Sequence, residues 1–191
     1  MSYGEPPGTI RDVFDAIADQ LDLTGVGVVT DVGGGMGTLL SRVLLKAPQV
    51  NGVLFDTPAT VMAAQAALHA RHGMSVSTVG GDLFTRVPGG DLLILSRVLH
   101  DWDDDACARI LARCREAMRP GGRLAVVERL LSDRPGTASL AAAWDVHPMV
   151  NNAAGQERTL DEYRRLLQTA GFAFTSCTDL IEVRLLQAVA A

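Results

Sequence analysis

The chain has 191 residues, 48% of them hydrophobic and 20% charged, and a formal net charge of −5. That length can bury a proper core without disulfide or metal staples, and the acidic balance leaves no basic surplus to hold a phosphate backbone, which argues against nucleic acid as a partner. Cys107, Cys114 and Cys177 fall into no C-x-x-C or zinc-like spacing, so reduced thiols in a cytoplasm are expected, and apolar runs such as "LLIL" and "LAVV" are strand-sized rather than membrane-sized.

A Gly/Pro-rich lead (Gly4, Pro6, Pro7, Gly8) has neither a basic start nor an apolar stretch and so predicts no outward targeting. It is followed by "IRDVFDAIADQL", where Ile10, Val13, Phe14, Ile17 and Leu21 recur at helical spacing. Short β-rich runs then alternate with longer helical patterns: "VGVVTDV", "TLLSRVLLKA", "VNGVLF", "TVMAAQAALHAR", "MSVSTV". The strand "DLLILS", the helix "DDDACARILARCREAM" closed by "RPGG", and the strand "RLAVVE" continue the series. Leu160 to Ala170 reads as a further helix, and "FAFTSCT" and "IEVRLLQAV" as two last strands close enough to form a hairpin. Such alternation predicts an α/β fold: a Rossmann-like, seven-stranded, mostly parallel sheet with helices on both faces and a C-terminal antiparallel hairpin. The least regular piece, "LSDRPGTASLAAAWDVHPMVNNAAGQ", is expected to fold over one mouth of the sheet.

In open parallel sheets ligands settle beyond the carboxyl ends of the strands, where the strand order reverses. The segment "DVGGGMG", Asp31 to Gly37, stands at the end of the first strand. It departs from the dinucleotide fingerprint G-x-G-x-x-G, because the third glycine counted from Gly33 and Gly35 falls on Thr38, so a pyrophosphate cradle is disfavoured. The glycines still let the backbone turn sharply with a ligand lying against it. Asp56, closing the second strand in "VLFDTP", is placed to accept from two ribose hydroxyls, and Asp82, closing the third in "GGDLF", to face an adenine amino group. Each residue alone is equally well explained as a turn former; three at adjacent strand ends suggest a nucleoside site.

The ordered motifs "DVGGGMGTLL", "GVLFDTP", "GGDLF", "RVLHDWDDD", "CREAMRPGGRLAVVERLL" and "ERTLDEYRRLLQTAGF" resemble the catalytic domain of S-adenosylmethionine-dependent O-methyltransferases of the caffeate type and the bacterial polyketide-tailoring group. The resemblance runs from about Phe14 to the end, and divides the chain into a leading segment and helix (1–24) and a cofactor-binding methyltransferase domain (25–191). It implies S-adenosyl-L-methionine as cofactor, with Gly33 and Gly35 on its amino-acid part, Asp56 on its ribose, Asp82 and Leu83 on its adenine, and Trp102 walling the adenine pocket. Asp31, Phe84 and Ser96 belong to the same implied site; Ser96 stands where the family carries a lysine four residues before its catalytic histidine, with Arg97 beside it. His147, Met149 and Asn152 fall where the family's acceptor-contacting residues lie, although Ala153, Ala154 and Gln156 depart from the usual "GGRERT" or "GGKERT". Family members carry a helical N-terminal region that dimerises and closes the acceptor pocket. This chain has about two dozen residues before its first strand, so a homodimer, a separate partner chain, an open site or an excised catalytic domain all remain readings of it.

"LHDWDDD" puts His100 just after the fourth strand, on the sheet edge that carries the glycine loop. A phenol ionises near pH 10 and imidazole near 6.5, so removal of the proton as the methyl moves is easier than full deprotonation beforehand. The resemblance adds two carboxylates, Glu128 in "VVERLL" and Glu157 in "GQERT", as partners that fix the ring's tautomer and stabilise the imidazolium as it forms. Read without that context, Glu128 is a solvated charge ending a strand and Glu157 an acid beginning a helix, where the macrodipole favours it. Asp101, Asp103, Asp104 and Asp105 are expected to start the following helix for the same reason rather than to bind metal, and His69 and His72 to lie on the surface at a helix end. The expected activity is methylation of a hydroxyl, phenolic in kind, on an aromatic small molecule of secondary metabolism. Non-methylating tailoring chemistry on the same cofactor, and a non-catalytic partner of a longer relative, are the alternatives.

Overall fold

The computed structural model describes residues 10–131, 155–180 and 182–191. Seven strands form a single sheet in the order β3-β2-β1-β4-β5-β7-β6: β1 (Val28–Val32), β2 (Asn51–Asp56), β3 (Val76–Gly80), β4 (Leu92–Ser96), β5 (Arg123–Glu128), β6 (Phe172–Asp179) and β7 (Arg184–Ala190). The first five strands are parallel, and β7 joins β5 and β6 antiparallel, as the sequence pattern predicts. The order reverses between β1 and β4, so the segments leaving those neighbouring strands diverge and open a crevice at the carboxyl edge.

Among the described residues, five α-helices cover the sheet: α1 (Ile10–Gln20), α2 (Thr38–Lys46), α3 (Pro58–His72), α4 (Asp104–Glu116) and α5 (Leu160–Thr169). The alternation of β4 shows why both faces are needed. Leu92 and Ile94 pack with α1, α2 and α3, while Leu93 and Leu95 pack with α4 and α5, so a continuous apolar run is buried on both sides. The edge strand β3, covered less completely, keeps Ser77 and Val79 exposed.

Local chemistry fixes the helix starts. Thr57 accepts from the Thr60 amide ahead of Pro58, and Asp103 accepts from the Ala106 amide at 2.8 Å. Thr159 and Glu162 form a reciprocal capping box, with the Thr159 amide 2.7 Å from the glutamate oxygen. Glu157 therefore stands before α5 rather than in its first turn, contrary to the helix-start expectation. The segment carrying it is stitched to the sheet edge: Leu130 bridges Arg158, the Leu131 amide donates to the Arg158 carbonyl, and the Gln156 amide donates to the His100 carbonyl at 2.8 Å.

Candidate functional site

The glycine loop after β1 turns through left-handed backbone at Gly33 (φ 69°) and Gly35 (φ 57°), which a side chain would strain. Gly34 is required for a different reason: a Cβ there would lie 2.5 Å from the Asp31 carboxyl carbon and 2.6 Å from a Leu54 methyl. At Gly35 the same added atom would meet nothing within 4 Å, so that backbone faces open space. The Gly35 amide donates to Asp56 at 2.9 Å and the Thr57 amide to its other oxygen at 2.7 Å, fixing the carboxylate at the tip of β2 with lone pairs still available to hydroxyls.

A cavity of about 260 Å³ lies beside this loop, lined by Gly33, Asp56, Gly81, Asp82, Leu83, Phe84 and Trp102 among others. Phe84 and Trp102 meet edge to face at 4.8 Å between ring centres, and the Arg109 guanidinium covers Phe84 at 4.8 Å, so the aromatic wall is braced from behind. Asp82 is exposed, but its carboxylate accepts from the Phe84 amide at 2.9 Å and the Thr85 hydroxyl at 3.1 Å. Its first task is thus to hold its own turn, which presents Leu83 and Phe84 to the cavity. Asp31 lies beneath the loop, 1% exposed, away from the cavity wall. Neither of its oxygens has a hydrogen-bond partner, and burial, partly offset by the Leu40 backbone, pushes its carboxyl up to about 7. Ser96 ends β4 half-buried, also off that wall. His147, Met149 and Asn152 lie outside the described residues.

The second half of the site follows β4. Arg97 takes left-handed backbone (φ 57°), alone in this among the described non-glycine residues, a conformation that costs about 1–2 kcal/mol. The kink aims the next three amides at one carboxylate oxygen: Val98, Leu99 and His100 donate to Glu128 Oε1 at 3.0, 2.9 and 3.4 Å. Glu128 is fully buried, which overturns its reading as a solvated strand end. The His100 ring sits beside it, Nδ1 lying 3.1 Å from Oε2 and 3.5 Å from Oε1. The Glu128 carboxylate is placed to accept a hydrogen bond from a proton on Nδ1. Nε2 lies 3.3 Å from Asp101 Oδ1 at the exposed end of the pocket.

Glu157, 3% exposed, meets the same cluster through Arg97, whose Nη1 donates to both Glu128 and Glu157 at 3.1 Å. Burial raises the Glu157 carboxyl above its ordinary range, with the Arg97 charge opposing. The structure thus brings His100, Glu128 and Glu157 together, and adds Arg97, whose side chain points into the carboxylates. Sequence reasoning also missed Arg158. It is 1% exposed and donates to the Leu99 and Trp102 carbonyls at 3.0 and 2.7 Å and to Asp104 at 2.8 Å, pinning the His100 turn from behind. Asp104 is therefore an ion-pair partner as well as a helix-start acid, and Asp101 belongs to the 3₁₀ turn Leu99–Asp101 rather than to α4. His69 is exposed as expected, while His72 is half-buried with Nε2 2.8 Å from the Ser41 hydroxyl.

The two halves touch: a Cβ on Gly33 would come within 2.8 Å of Val98, so the glycine loop rests directly on the His100 turn. Among the described residues, no three His, Cys, Asp or Glu side chains are disposed to hold a metal ion, and no helix is long and apolar enough to cross a membrane.

Comparison with known proteins matches this arrangement to a family. A profile of the O-methyltransferase domain covers residues 10–173. The chain is 46% identical over 178 residues to 3-amino-4-hydroxybenzoate 4-O-methyltransferase of Streptomyces cremeus, covering 92% of this chain and 48% of that protein. The crystal structure of LaPhzM superposes with a TM-score of 0.88 at 37% identity, over 95% of this chain and 55% of that one. Human N-acetylserotonin methyltransferase in complex with SAM superposes with a TM-score of 0.83 at 32% identity, over 92% and 51%. The chain spans about half the length of the curated relatives it matches.

Proposed function

The chain belongs to the O-methyltransferase domain family, and from that premise we propose that it methylates a hydroxyl, phenolic in kind, on an aromatic small molecule of secondary metabolism, with S-adenosylmethionine as donor and His100 as general base. The observation that carries the reading is the His100 ring set 3.1 Å from a fully buried glutamate on the turn that abuts the glycine loop.

The residues present fit the cofactor. Gly35 offers open backbone, Asp56 is held ready for vicinal hydroxyls, and the Leu83, Phe84 and Trp102 wall suits a flat base. A carboxylate beneath the loop with no partner of its own suits a cationic amino-acid group above it. When bound, S-adenosylmethionine supplies a methyl carbon made electrophilic by a positive sulfur. The rest is done by this chain. His100 Nε2 takes the acceptor's proton, Glu128 holds the Nδ1 proton and offsets the charge gained by the ring, and the crevice orients the hydroxyl. Asp101, half-buried and next to Nε2, must swing toward solvent to admit the acceptor. His147, Met149 and Asn152, outside the described residues, are the candidate acceptor-contacting residues in this reading. Reduced thiols at Cys107, Cys114 and Cys177 support a cytoplasmic setting.

Incubation with methyl-labelled S-adenosylmethionine and a panel of hydroxybenzoates, phenazines and phenolic polyketides tests the reading. His100→Ala is expected to lower methyl transfer by about 10²–10⁴-fold while calorimetry shows unchanged S-adenosylhomocysteine binding. Transfer to none of the panel, or transfer indifferent to His100, sinks it.

A further inference from the structure

Arg158 is buried, and its partners are spaced along one short stretch of chain. Its Nη1 donates to the Leu99 carbonyl at 3.0 Å, its Nη2 to the Trp102 carbonyl at 2.7 Å and its Nε to Asp104 at 2.8 Å. The two carbonyls bracket His100 and Asp101, and the carboxylate begins α4. The turn's own bonds are longer: the Asp101 amide reaches the Val98 carbonyl at 3.3 Å and the Trp102 amide the Leu99 carbonyl at 3.2 Å. The Cys107 thiol also points at both carbonyls, at 3.2 and 3.6 Å, but a thiol is a weak donor. The charge-assisted bonds of the guanidinium are therefore the stronger set holding the turn from behind.

The two ends of that bracket belong to different parts of the site. Trp102 lines the cavity of about 260 Å³ and meets Phe84 edge to face, whereas Leu99 leads into His100, which is not on that wall. We propose that Arg158 is a positioning residue that joins the nucleoside wall to the turn of the base, so that a nucleoside bound against Trp102 holds His100 in place beside Glu128. The inference rests on the reading of the cavity as the nucleoside site and of His100 as the base. A guanidinium suits the task because its planar fork fixes two carbonyls and a carboxylate in set directions, which the point charge of a lysine does not. The fork is itself anchored: Leu130 bridges Arg158, and the Leu131 amide donates to the Arg158 carbonyl at 2.9 Å, just past the end of β5 that carries Glu128. For the turn to open, the Leu99 and His100 amides must leave Glu128. With Arg158 in place, that movement pulls on the Trp102 carbonyl and disturbs the wall, so a ligand that needs the wall resists the opening. Without the fork, the turn opens while Trp102 stays.

The test follows backbone amide exchange by NMR in the free chain and with saturating S-adenosylhomocysteine. The Leu99 and His100 amides, which donate to Glu128, report the turn, and the Gly35 amide, which donates to Asp56, reports the hollow. In the wild type the ligand is expected to slow all three, the turn amides by about fivefold or more. In Arg158→Lys it is expected to slow Gly35 still, while Leu99 and His100 exchange as they do in the free variant. A merely structural arginine would lower the melting temperature and leave the ligand's protection of the turn intact. Should Arg158→Lys not fold, Asp104→Ala serves: Asp104 is exposed, and its loss frees Nε and loosens the fork, so the protection of the turn shrinks while that of Gly35 stays. Protection of Leu99 and His100 in the folded variant equal to that in the wild type overturns the proposal, as does a wild type in which the ligand slows Gly35 alone. If the ligand slows none of the three and calorimetry detects no binding, the cofactor reading falls and the proposal with it, so Gly35 tells the two failures apart.

Discussion

Beyond β1 and β2, the polar groups of the site are held by backbone and near neighbours: Gly35 and Thr57 amides on Asp56, Phe84 and Thr85 on Asp82. Beyond β4, they are held by side chains brought from distant parts of the chain, with Glu128 and Glu157 meeting Arg97 across separations of 31 and 60 residues. The first half is a shaped hollow in a pre-set backbone, as befits a group that is bound and released. The second is a buried charge cluster in which each member satisfies several others, an arrangement that fits the proposed role of His100 as a base held in one orientation. The contrast teaches that the two halves should fail differently: damage to the first costs binding, while damage to the second costs folding as well as chemistry.

The largest effect is expected at the hub of the cluster. Glu128→Ala strands three buried amides and leaves Arg97 short of a partner, so we expect a loss of about 3–5 kcal/mol, or a fall in melting temperature of roughly 10 °C or more for a chain of this size. Glu128→Gln keeps an acceptor for those amides and should lose distinctly less. Equal melting temperatures for wild type and Glu128→Ala would erase the contrast between the halves.

Those separations also explain what the sequence disclosed. The seven strands were legible because alternation and length are local: "DLLILS" reads as a strand buried on both faces whatever surrounds it. Asp56 and the glycines were legible because their partners lie next to strand ends that the βαβ repeat already places side by side. His100, Glu128 and Glu157 were legible only through the ordered motifs. Arg97 and Arg158 were not, because left-handed backbone at a non-glycine residue leaves no pattern, and a buried arginine is written in the same letter as an exposed one. One signal was present: Arg97 interrupts an apolar stretch, "LLILSRVLH", just where the chain leaves the sheet. A charge in that position needs a buried counter-charge or an exit to solvent, and the strand-ending glutamate of the neighbouring β5 was the available partner.

Asp31 sharpens the comparison from the other side, since it is a buried carboxyl belonging to the hollow rather than to the cluster. Its ordinary value of 3.8 rises to about 7 in the folded chain. Between those values the native protein holds a proton that the unfolded chain has released. The stability tied to this group is therefore fully present below about pH 4 and is lost as pH rises toward 7, with a ceiling of about 4 kcal/mol. Asp31→Asn should lie close to the wild type in stability at pH 4 and exceed it by about 1–3 kcal/mol at pH 8, while weakening S-adenosylhomocysteine binding. Denaturant melts at the two pH values check the first point and calorimetry the second. A gap that does not widen with pH means the carboxyl has found a partner.

Gly34→Ala strikes the same place sterically. The added methyl would press on Asp31 and Leu54 at about van der Waals overlap, which we expect to cost about 1–3 kcal/mol and to shift the loop enough to abolish nucleoside binding. Loss of binding with an unchanged melting temperature would show that the loop gives way more easily than its packing implies.

The smallest effect concerns Tyr163, which borders the cluster without joining it. Its ring is fully buried, with the Arg158 guanidinium 6.0 Å from the ring centre, and its hydroxyl has no hydrogen-bond partner. An orphaned hydroxyl has left water and gained nothing in return, so Tyr163→Phe, which keeps the ring and its contacts, should stabilise the chain by about 0.5–1 kcal/mol, roughly 2 °C in melting temperature. The sign decides the matter. A cluster member gives up stability when it loses a polar atom, as Glu128 is expected to, whereas a bystander gains it. A destabilised Tyr163→Phe would mean that the hydroxyl is tied to the carboxylates through an internal water, and the charge cluster would then extend one residue deeper, into α5.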